Sequence, residues 1–165
     1  MRKAKGFRIV VFSDTHGCFR AANRIVRRND NADLFIFLGD GEGDIEQLAS
    51  LYPKKKILSV AGNCDFYSDA PKELVYTAPG GVKIFASHGN EYSVGSSVQR
   101  IYYRGLELGA KIVLFGHTHS RFYNYADGVH ILNPGSAACP RDGLEPSYAF
   151  IDILENGIFC SHVDV

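Results

Sequence analysis

The stretch Arg8-Ile9-Val10-Val11-Phe12-Ser13-Asp14-Thr15-His16-Gly17 decides the fold, because an apolar run passes without interruption into a polar turn that carries a glycine. Arg8 to Ser13 is rich in β-branched and aromatic side chains, the composition of a packed strand. The strand delivers a carboxylate, Asp14, and an imidazole, His16, at its carboxyl end. These two form a ligand pair in need of partners. An Asp-x-His triplet beside a turn is also what an ordinary satisfied polar pair looks like, so the rest of the chain must decide.

Downstream, Cys18 to Asn29 has helical spacing, with Ala22, Ile25 and Val26 on one face and Arg20, Arg24, Arg27 and Arg28 largely outside it as a solvated basic face. Leu34 to Leu38 is apolar throughout, as in a strand covered on both faces, and ends in Gly39-Asp40. Asp44 is expected to cap a helix over Ile45 to Leu51. Ile57 to Val60 is the next strand and runs into Gly62-Asn63-Cys64-Asp65. Leu74 to Ala78 and Val82 to Ser87 then flank Gly80-Gly81 as a hairpin, and the second strand ends in His88-Gly89-Asn90.

A helix with a capping box at Ser96 and Gln99 carries Val98, Ile101, Tyr102 and Leu108 and stops at Gly109. Ile112 to Phe115 leads to Gly116-His117-Thr118-His119. Beyond it lie only strands and turns: Phe122 to Ala126 and Val129 to Leu132 around Asp127-Gly128, then Tyr148 to Leu154 and Ile158 to Val165 around Asn156-Gly157. Helices early, buried strands in the middle and hairpins late fit an α/β fold, a two-sheet mixed β sandwich flanked by helices. A single domain over residues 1–165 is expected, long enough to bury a core without staples.

Composition narrows the partners. Eighteen basic residues balance eighteen acidic ones, so no global field draws the chain to nucleic acid or an anionic membrane, and Lys54-Lys55-Lys56 is too short for a binding tract. Cys18, Cys64, Cys139 and Cys160 lie far apart with no C-x-x-C pair, which speaks for reduced thiols rather than a disulfide framework or a thiolate zinc site. The basic start, Met1-Arg2-Lys3-Ala4-Lys5, lacks a cleavage pattern and no apolar run reaches membrane-spanning length, so a cytoplasmic location is expected. Nine tyrosines and eleven phenylalanines leave material for a subunit interface, so a homo-oligomer stays open.

Five predicted strands end in polar clusters: Asp14 with His16, Asp40, Asn63, His88, and His117 with His119. Ligands in α/β sheets sit beyond the carboxyl ends of strands, so five such ends can converge although they span a hundred residues. Core histidines have no reason to choose strand ends, and His130 and His162, inside predicted strands, read as structural or exposed. A glycine touches every cluster, as backbone that turns sharply or approaches a site closely requires. Oxygen and imidazole donors suit Mn²⁺, Fe, Ni²⁺, Co²⁺ or Zn²⁺ better than Ca²⁺. Seven candidate ligands are too many for one ion, whereas two ions about 3.5–4 Å apart with one bridging carboxylate would use them all and suit in-line displacement at phosphorus.

In this order, Asp14-x-His16, Gly39-Asp40, Gly62-Asn63, His88 and Gly116-His117-x-His119, the motifs resemble those of the calcineurin-like metallophosphoesterases. Length and the closing Asn133-Pro134-Gly135-Ser136 are similar to the small single-domain branch, which holds bacterial and archaeal phosphodiesterases and the retromer subunit Vps29. The resemblance implies the αββα fold of that family and two divalent ions, manganese first among the candidates. One would be held by Asp14, His16, Asp40 and His119 and the other by Asp40, Asn63, His88 and His117, with Asp40 as the bridge. It further implies that a hydroxide between the ions attacks a small or nucleotide-like phosphodiester, since bound metal lowers the pKa of water from about 15.7 to about 7.

Two positions depart from the family. Many members carry Gly-Asn-His where this chain has Gly62-Asn63-Cys64, and that histidine is the usual acid for the leaving group. Cys64 at this catalytic position is a weak acid of ordinary pKa about 8.5, a side chain without a partner, or a packed thiol. Loss of a strong acid predicts a preference for diesters and aryl esters with good leaving groups. Asn90 stands where the branch often has a second histidine and is a candidate phosphate contact, while Arg121 reads as the start of an edge strand. The alternative function is a non-catalytic, Vps29-like protein-binding scaffold, because fold alone does not grant activity.

Overall fold

The computed structural model describes residues 6–165, so the basic Met1–Lys5 segment lies outside the described residues. Two five-stranded mixed sheets pack face to face. The first has the order β10-β9-β1-β2-β3, built from β1 (Phe7–Phe12), β2 (Leu34–Phe37), β3 (Ile57–Ser59), β9 (Ser147–Leu154) and β10 (Gly157–Asp164). The second has the order β4-β5-β6-β8-β7, from β4 (Glu73–Ala78), β5 (Val82–Ser87), β6 (Ile112–Leu114), β7 (Arg121–Ala126) and β8 (Val129–Pro134). Strands β1, β2 and β3 are parallel, with Ile9 opposite Leu34 and Phe35 opposite Ile57, and so are β5, β6 and β8. Antiparallel hairpin strands take the outer positions except at β3, an edge strand parallel to β2.

Period-two alternation divides the apolar side chains among three layers. Ile9, Val11, Leu34 and Ile36 meet Ile84, Ala86, Ile112 and Leu114 between the sheets. Val10, Phe12, Phe35 and Phe37 point the other way, beneath Ala22, Ile25, Val26 and Leu48 of α1 (Phe19–Arg28) and α2 (Glu42–Leu51). Phe85, Val113 and Phe115 pack under Ile101 of α3 (Gln99–Glu107). Each fully buried aliphatic or aromatic side chain is worth about 1.5–3 kcal/mol, which fixes the central strands and leaves their ends free for polar work.

Two expected helix caps do not form. Helix α2 starts at Glu42, so Asp44 falls inside its first turn, and its buried carboxylate instead accepts the Gly17 N–H at 3.1 Å. Ser96 is held in a turn by its own N–H to Ser93 O, so α3 opens at Gln99, whose N–H is taken by Ser97 Oγ. Gly109 does follow the helix with φ 69°, and Gly80 and Gly81 both have positive φ in the β4–β5 hairpin. Arg20, Arg24, Arg27 and Arg28 are exposed on α1. Arg121 opens edge strand β7 and pairs with Asp164.

Candidate metal centre

The parallel strands run out on one edge, where the two sheets meet. Asp14 N–H donates to Gly39 O and His16 N–H to Asp40 O, which zips the loop after β1 to the loop after β2. Gly116 N–H donates to His88 O and Ala137 N–H to Ser13 O, which ties in the ends of β5, β6 and β8. Eight described non-glycine residues have positive φ, and five of these are Asp14 (55°), His16 (45°), Asp40 (62°), His117 (69°) and His119 (56°). Left-handed backbone at a residue with a side chain costs on the order of 1 kcal/mol and persists only where the surroundings over-determine it. Here it turns each side chain back over the end of its own strand.

Several of the side chains so aimed meet acceptor to acceptor. Asp14 is wholly buried; its Oδ2 accepts from Ser13 Oγ (2.6 Å) and from the His117 N–H (3.1 Å), while its Oδ1 has no hydrogen-bond donor. His119 Nε2 lies 3.2 Å from that oxygen and 3.1 Å from His16 Nε2. The other nitrogen of His119, Nδ1, is 2.7 Å from Cys139 O, a bond only a protonated Nδ1 can donate, so neutral His119 turns the lone pair of Nε2 inward. His88 repeats the device: Nδ1 sits 2.6 Å from Leu38 O, and Nε2 faces Asp40 Oδ2 at 3.3 Å and Asn63 Oδ1 at 3.0 Å. His117 Nδ1 approaches the same Asn63 oxygen at 2.9 Å.

Such a cluster needs positive charge. Asp14, His16 and His119 bring ligand atoms within 4.8 Å of one another, as do Asp14, Asp40 and His88, and also His16, Asp40 and Cys64. Burial, the largest influence on His88, opposes its protonation, yet the bond to Asp40 and the charges of Asp14 and Asp40 outweigh it and raise its pKa. Burial likewise works to raise the Asp40 pKa, but His88 and the Cys64 N–H hold it down to about 2. His119 is raised, chiefly by Asp14, whereas burial and the neighbouring His88 keep His117 low. Buried carboxylates, imidazoles with fixed tautomers and an amide oxygen, around an orphaned Asp14 oxygen, are a donor set that fits divalent transition ions.

All seven sequence-predicted ligands reach this place, while His130 and His162 do not: His130 Nδ1 meets the Tyr123 hydroxyl and His162 Nε2 meets Asn133 O. Sequence reasoning missed the frame around them. The Asp65 carboxylate accepts four backbone N–H groups, from Asp40, Gly41 and Gly62 at 2.8 Å and Glu42 at 3.0 Å; together they outweigh burial and lower its pKa. Asn133 Nδ2 donates to Gly116 O and Thr118 Oγ1, and Ser136 Oγ donates to Asp14 O. The turn-forming Asn133-Pro134-Gly135-Ser136 at a sixth parallel strand end was the available signal for these two. At Gly62, a Cβ would lie 2.1 Å from Asp40 Oδ1, so the close approach of the β3 loop to that carboxylate requires glycine.

Cys64 is not a packed thiol. Its N–H donates to Asp40 Oδ1 at 2.7 Å, which fixes the backbone so that the side chain is exposed at the mouth of the cluster. Partial burial first, then the negative charge of Asp40, push the thiol pKa above its ordinary value. Asn90 opens a one-turn 3₁₀ helix and, with Asn63, lines a cleft of about 420 Å³ beside the cluster.

The model of the calcineurin-like phosphoesterase superfamily domain matches residues 7–156. The chain belongs to that family. Among curated relatives, a Bacillus subtilis protein named probable metallophosphoesterase YsnB is 36% identical over 150 residues, covering 90% of this chain and 85% of its own. A solved structure from Streptococcus pneumoniae TIGR4, described as a predicted phosphoesterase, superposes with a TM-score of 0.85 at 29% identity over 97% of this chain and 90% of its own. Vacuolar Protein Sorting 29 of Cryptosporidium parvum shares the fold, with a TM-score of 0.74 at 19% identity over 97% and 99% of the two chains. The family relation establishes a metallophosphoesterase architecture, and among the described residues no helix is long and apolar enough to cross a membrane.

Proposed function

We propose that the chain is a two-ion phosphodiesterase that hydrolyses small or nucleotide-like diesters. The observation that carries this reading is the buried Asp14 Oδ1, which has no donor: with Nδ1 of His119 and of His88 donating to Cys139 O and Leu38 O, the Nε2 lone pairs of the neutral rings face the carboxylate oxygens of Asp14 and Asp40. Asp14, His16, Asp40 and His119 would hold one ion, and Asp40, Asn63, His88 and His117 the other, with Asp40 shared. Bound divalent ions supply Lewis-acid charge to a phosphoryl group and lower the pKa of water. Manganese is our first candidate, with Fe, Ni, Co and Zn suited to the same donors.

The chain's own contribution is orientation. Leu38 O and Cys139 O fix the His88 and His119 rings, and Asp65 and Gly62 hold the backbone on either side of Asp40, so ligand atoms need little rearrangement when charge develops at phosphorus. Cys64 is the candidate proton donor at the family's acid position. As a thiol with raised pKa it releases its proton reluctantly at neutral pH, so esters whose leaving group departs without a proton are favoured. Four free cysteines support a cytoplasmic site of action.

The test is chelator-sensitive hydrolysis of bis-p-nitrophenyl phosphate, restored by Mn²⁺, with glycerol phosphate as the comparison substrate. A higher kcat/KM on the diester is expected, and a higher value on glycerol phosphate overturns the preference. Stoichiometric metal binding without turnover of either ester would move the chain to the scaffold reading.

A further inference from the structure

We propose that Tyr67, assisted by Phe66, is the stacking surface for a planar group of the substrate, so that the preferred diester carries a nucleobase or comparable aromatic ring on one arm. This rests on the phosphodiesterase reading and adds the substrate class. The cleft of about 420 Å³ beside the candidate centre shares Asn63 with it and continues past Asp65, Tyr67, Ser68 and Asn90. A space of this size is in the range of small-ligand sites. A phosphodiester phosphate placed at Asn63 would project one substituent into it. Among the residues that line it, Tyr67 bears the single aromatic ring.

That ring is presented rather than packed. Tyr67 and Phe66, at 104% and 78% relative exposure, are the two most exposed large hydrophobic side chains of the described residues, and they are adjacent. The loop under them is tied down on both sides. Asp65 accepts its four backbone N–H groups, while Ser68 Oγ donates to Glu42 Oε1 at 2.6 Å and accepts the Ala70 N–H at 3.0 Å. Between these anchors Tyr67 has φ 64°, a conformation unfavourable for a bulky side chain, which throws the ring outward at the cleft.

The chemistry of the surroundings favours a ring over an alkyl chain or a protein partner. Along the chain the two rings are bounded by the polar residues Asp65, Ser68 and Asp69, which suits a pair of rings set beside polar groups better than a segment of a large apolar interface. A base has two π faces to cover and a polar edge to satisfy, and the cleft offers an exposed ring together with the amide of Asn90. Lys72, also on the cleft, is paired with Glu91 at 2.5 Å.

The experiment compares two diesters with one leaving group, thymidine 5′-(4-nitrophenyl) phosphate and methyl 4-nitrophenyl phosphate, on the Mn²⁺-loaded protein. Tyr67→Ala is expected to raise KM for the thymidine ester about tenfold relative to the methyl ester with kcat little changed. Phe66→Ala should act more weakly in the same direction, and Tyr67→Phe should retain the wild-type ratio. Equal changes on both esters, or none, overturn the proposal. Calorimetric binding of thymidine 5′-monophosphate against ribose 5-phosphate gives a readout without turnover: the nucleotide should bind more tightly, and Tyr67→Ala should erase the difference. If both esters are cleaved and Tyr67→Ala is indifferent, stacking fails and the enzyme reading stands. If neither is cleaved but the nucleotide preference depends on Tyr67, the enzyme reading fails and stacking stands.

Discussion

The candidate centre and the cleft beside it share Asn63, yet they are built on opposite plans. In the centre, Asp14, Asp40, His88 and His119 are all buried, three of them are held in left-handed backbone, and Nδ1 of His88 and of His119 is tied to a backbone carbonyl. Four residues later in the chain, Tyr67 stands fully in water. On the proposed reading, reactivity resides where six parallel strand ends leave side chains no freedom, and selectivity where a pinned loop holds an exposed ring.

The comparison breaks first at Asp40. Asp40→Asn removes the negative charge shared by both halves of the cluster, and kcat/KM should fall at least about 10³-fold on every ester, whatever its substituent, since several kcal/mol of charge stabilisation are lost. Metal should also protect the wild-type fold: at a hundredfold excess over Kd, Mn²⁺ is expected to raise Tm by about 5–10 °C, and Asp40→Asn should abolish most of that rise. Calorimetry on the wild type should count two ions per chain. A single ion, or an unaltered Tm rise in the variant, would remove Asp40 from its place between two sites.

Asp65 tests whether the two regions are mechanically one. Its carboxylate binds the backbone of the β2 loop and of Gly62, and it also roots the loop that carries Phe66 and Tyr67. Asparagine can accept with only one oxygen and sets an NH₂ group against N–H donors, so Asp65→Asn should cost about 2–3 kcal/mol and lower Tm by about 5–10 °C. Activity should fall on nucleoside and methyl esters alike, with the larger loss in kcat. A variant with intact kcat and a KM defect confined to the nucleoside ester would show that Asp65 serves the cleft loop and not the centre.

The uneven legibility of the sequence follows the same division. The candidate ligands were readable because each strand is a run of apolar residues and each run stops at an Asp, Asn or His, so the pattern located residues that meet only in three dimensions. The two-sheet architecture was readable for the same reason, from apolar runs and hairpin turns. Asp65 was not, because its partners are backbone N–H groups, which leave no mark on the residues that bear them; Asn133 and Ser136 stood in a legible turn, but their bonds to Gly116 O and Asp14 O did not show in it. The positive φ of Asp14 or His117 was hidden likewise, since both residue types occur freely in ordinary turns. The failed cap at Asp44 is a local rule overridden by tertiary demand, since the loop after β1 took the Asp44 carboxylate, whereas Ser96 lost to a local competitor, its neighbour Ser97.

Cys64 offers the finest test, because it directly follows Asn63, the residue the two regions share: its N–H serves Asp40 while its thiol is exposed. Burial and the charge of Asp40 raise the thiol pKa, so across neutral pH the proton stays on sulfur and transfer to a departing oxygen is slow. Replacing it with histidine sets a group of pKa near 6.5 at the same place, one that gives up a proton readily at pH 7. Cys64→His should therefore raise kcat/KM about a hundredfold for diesters with alkoxide leaving groups, the lower end of what general acids contribute, and leave 4-nitrophenolate esters unchanged. The diagnostic is the dependence of log kcat/KM on leaving-group pKa, which should become shallower in the variant. A parallel shift of the whole line would mean that the imidazole acts on the centre and not on the leaving group, and residue 64 would then belong with the ligands.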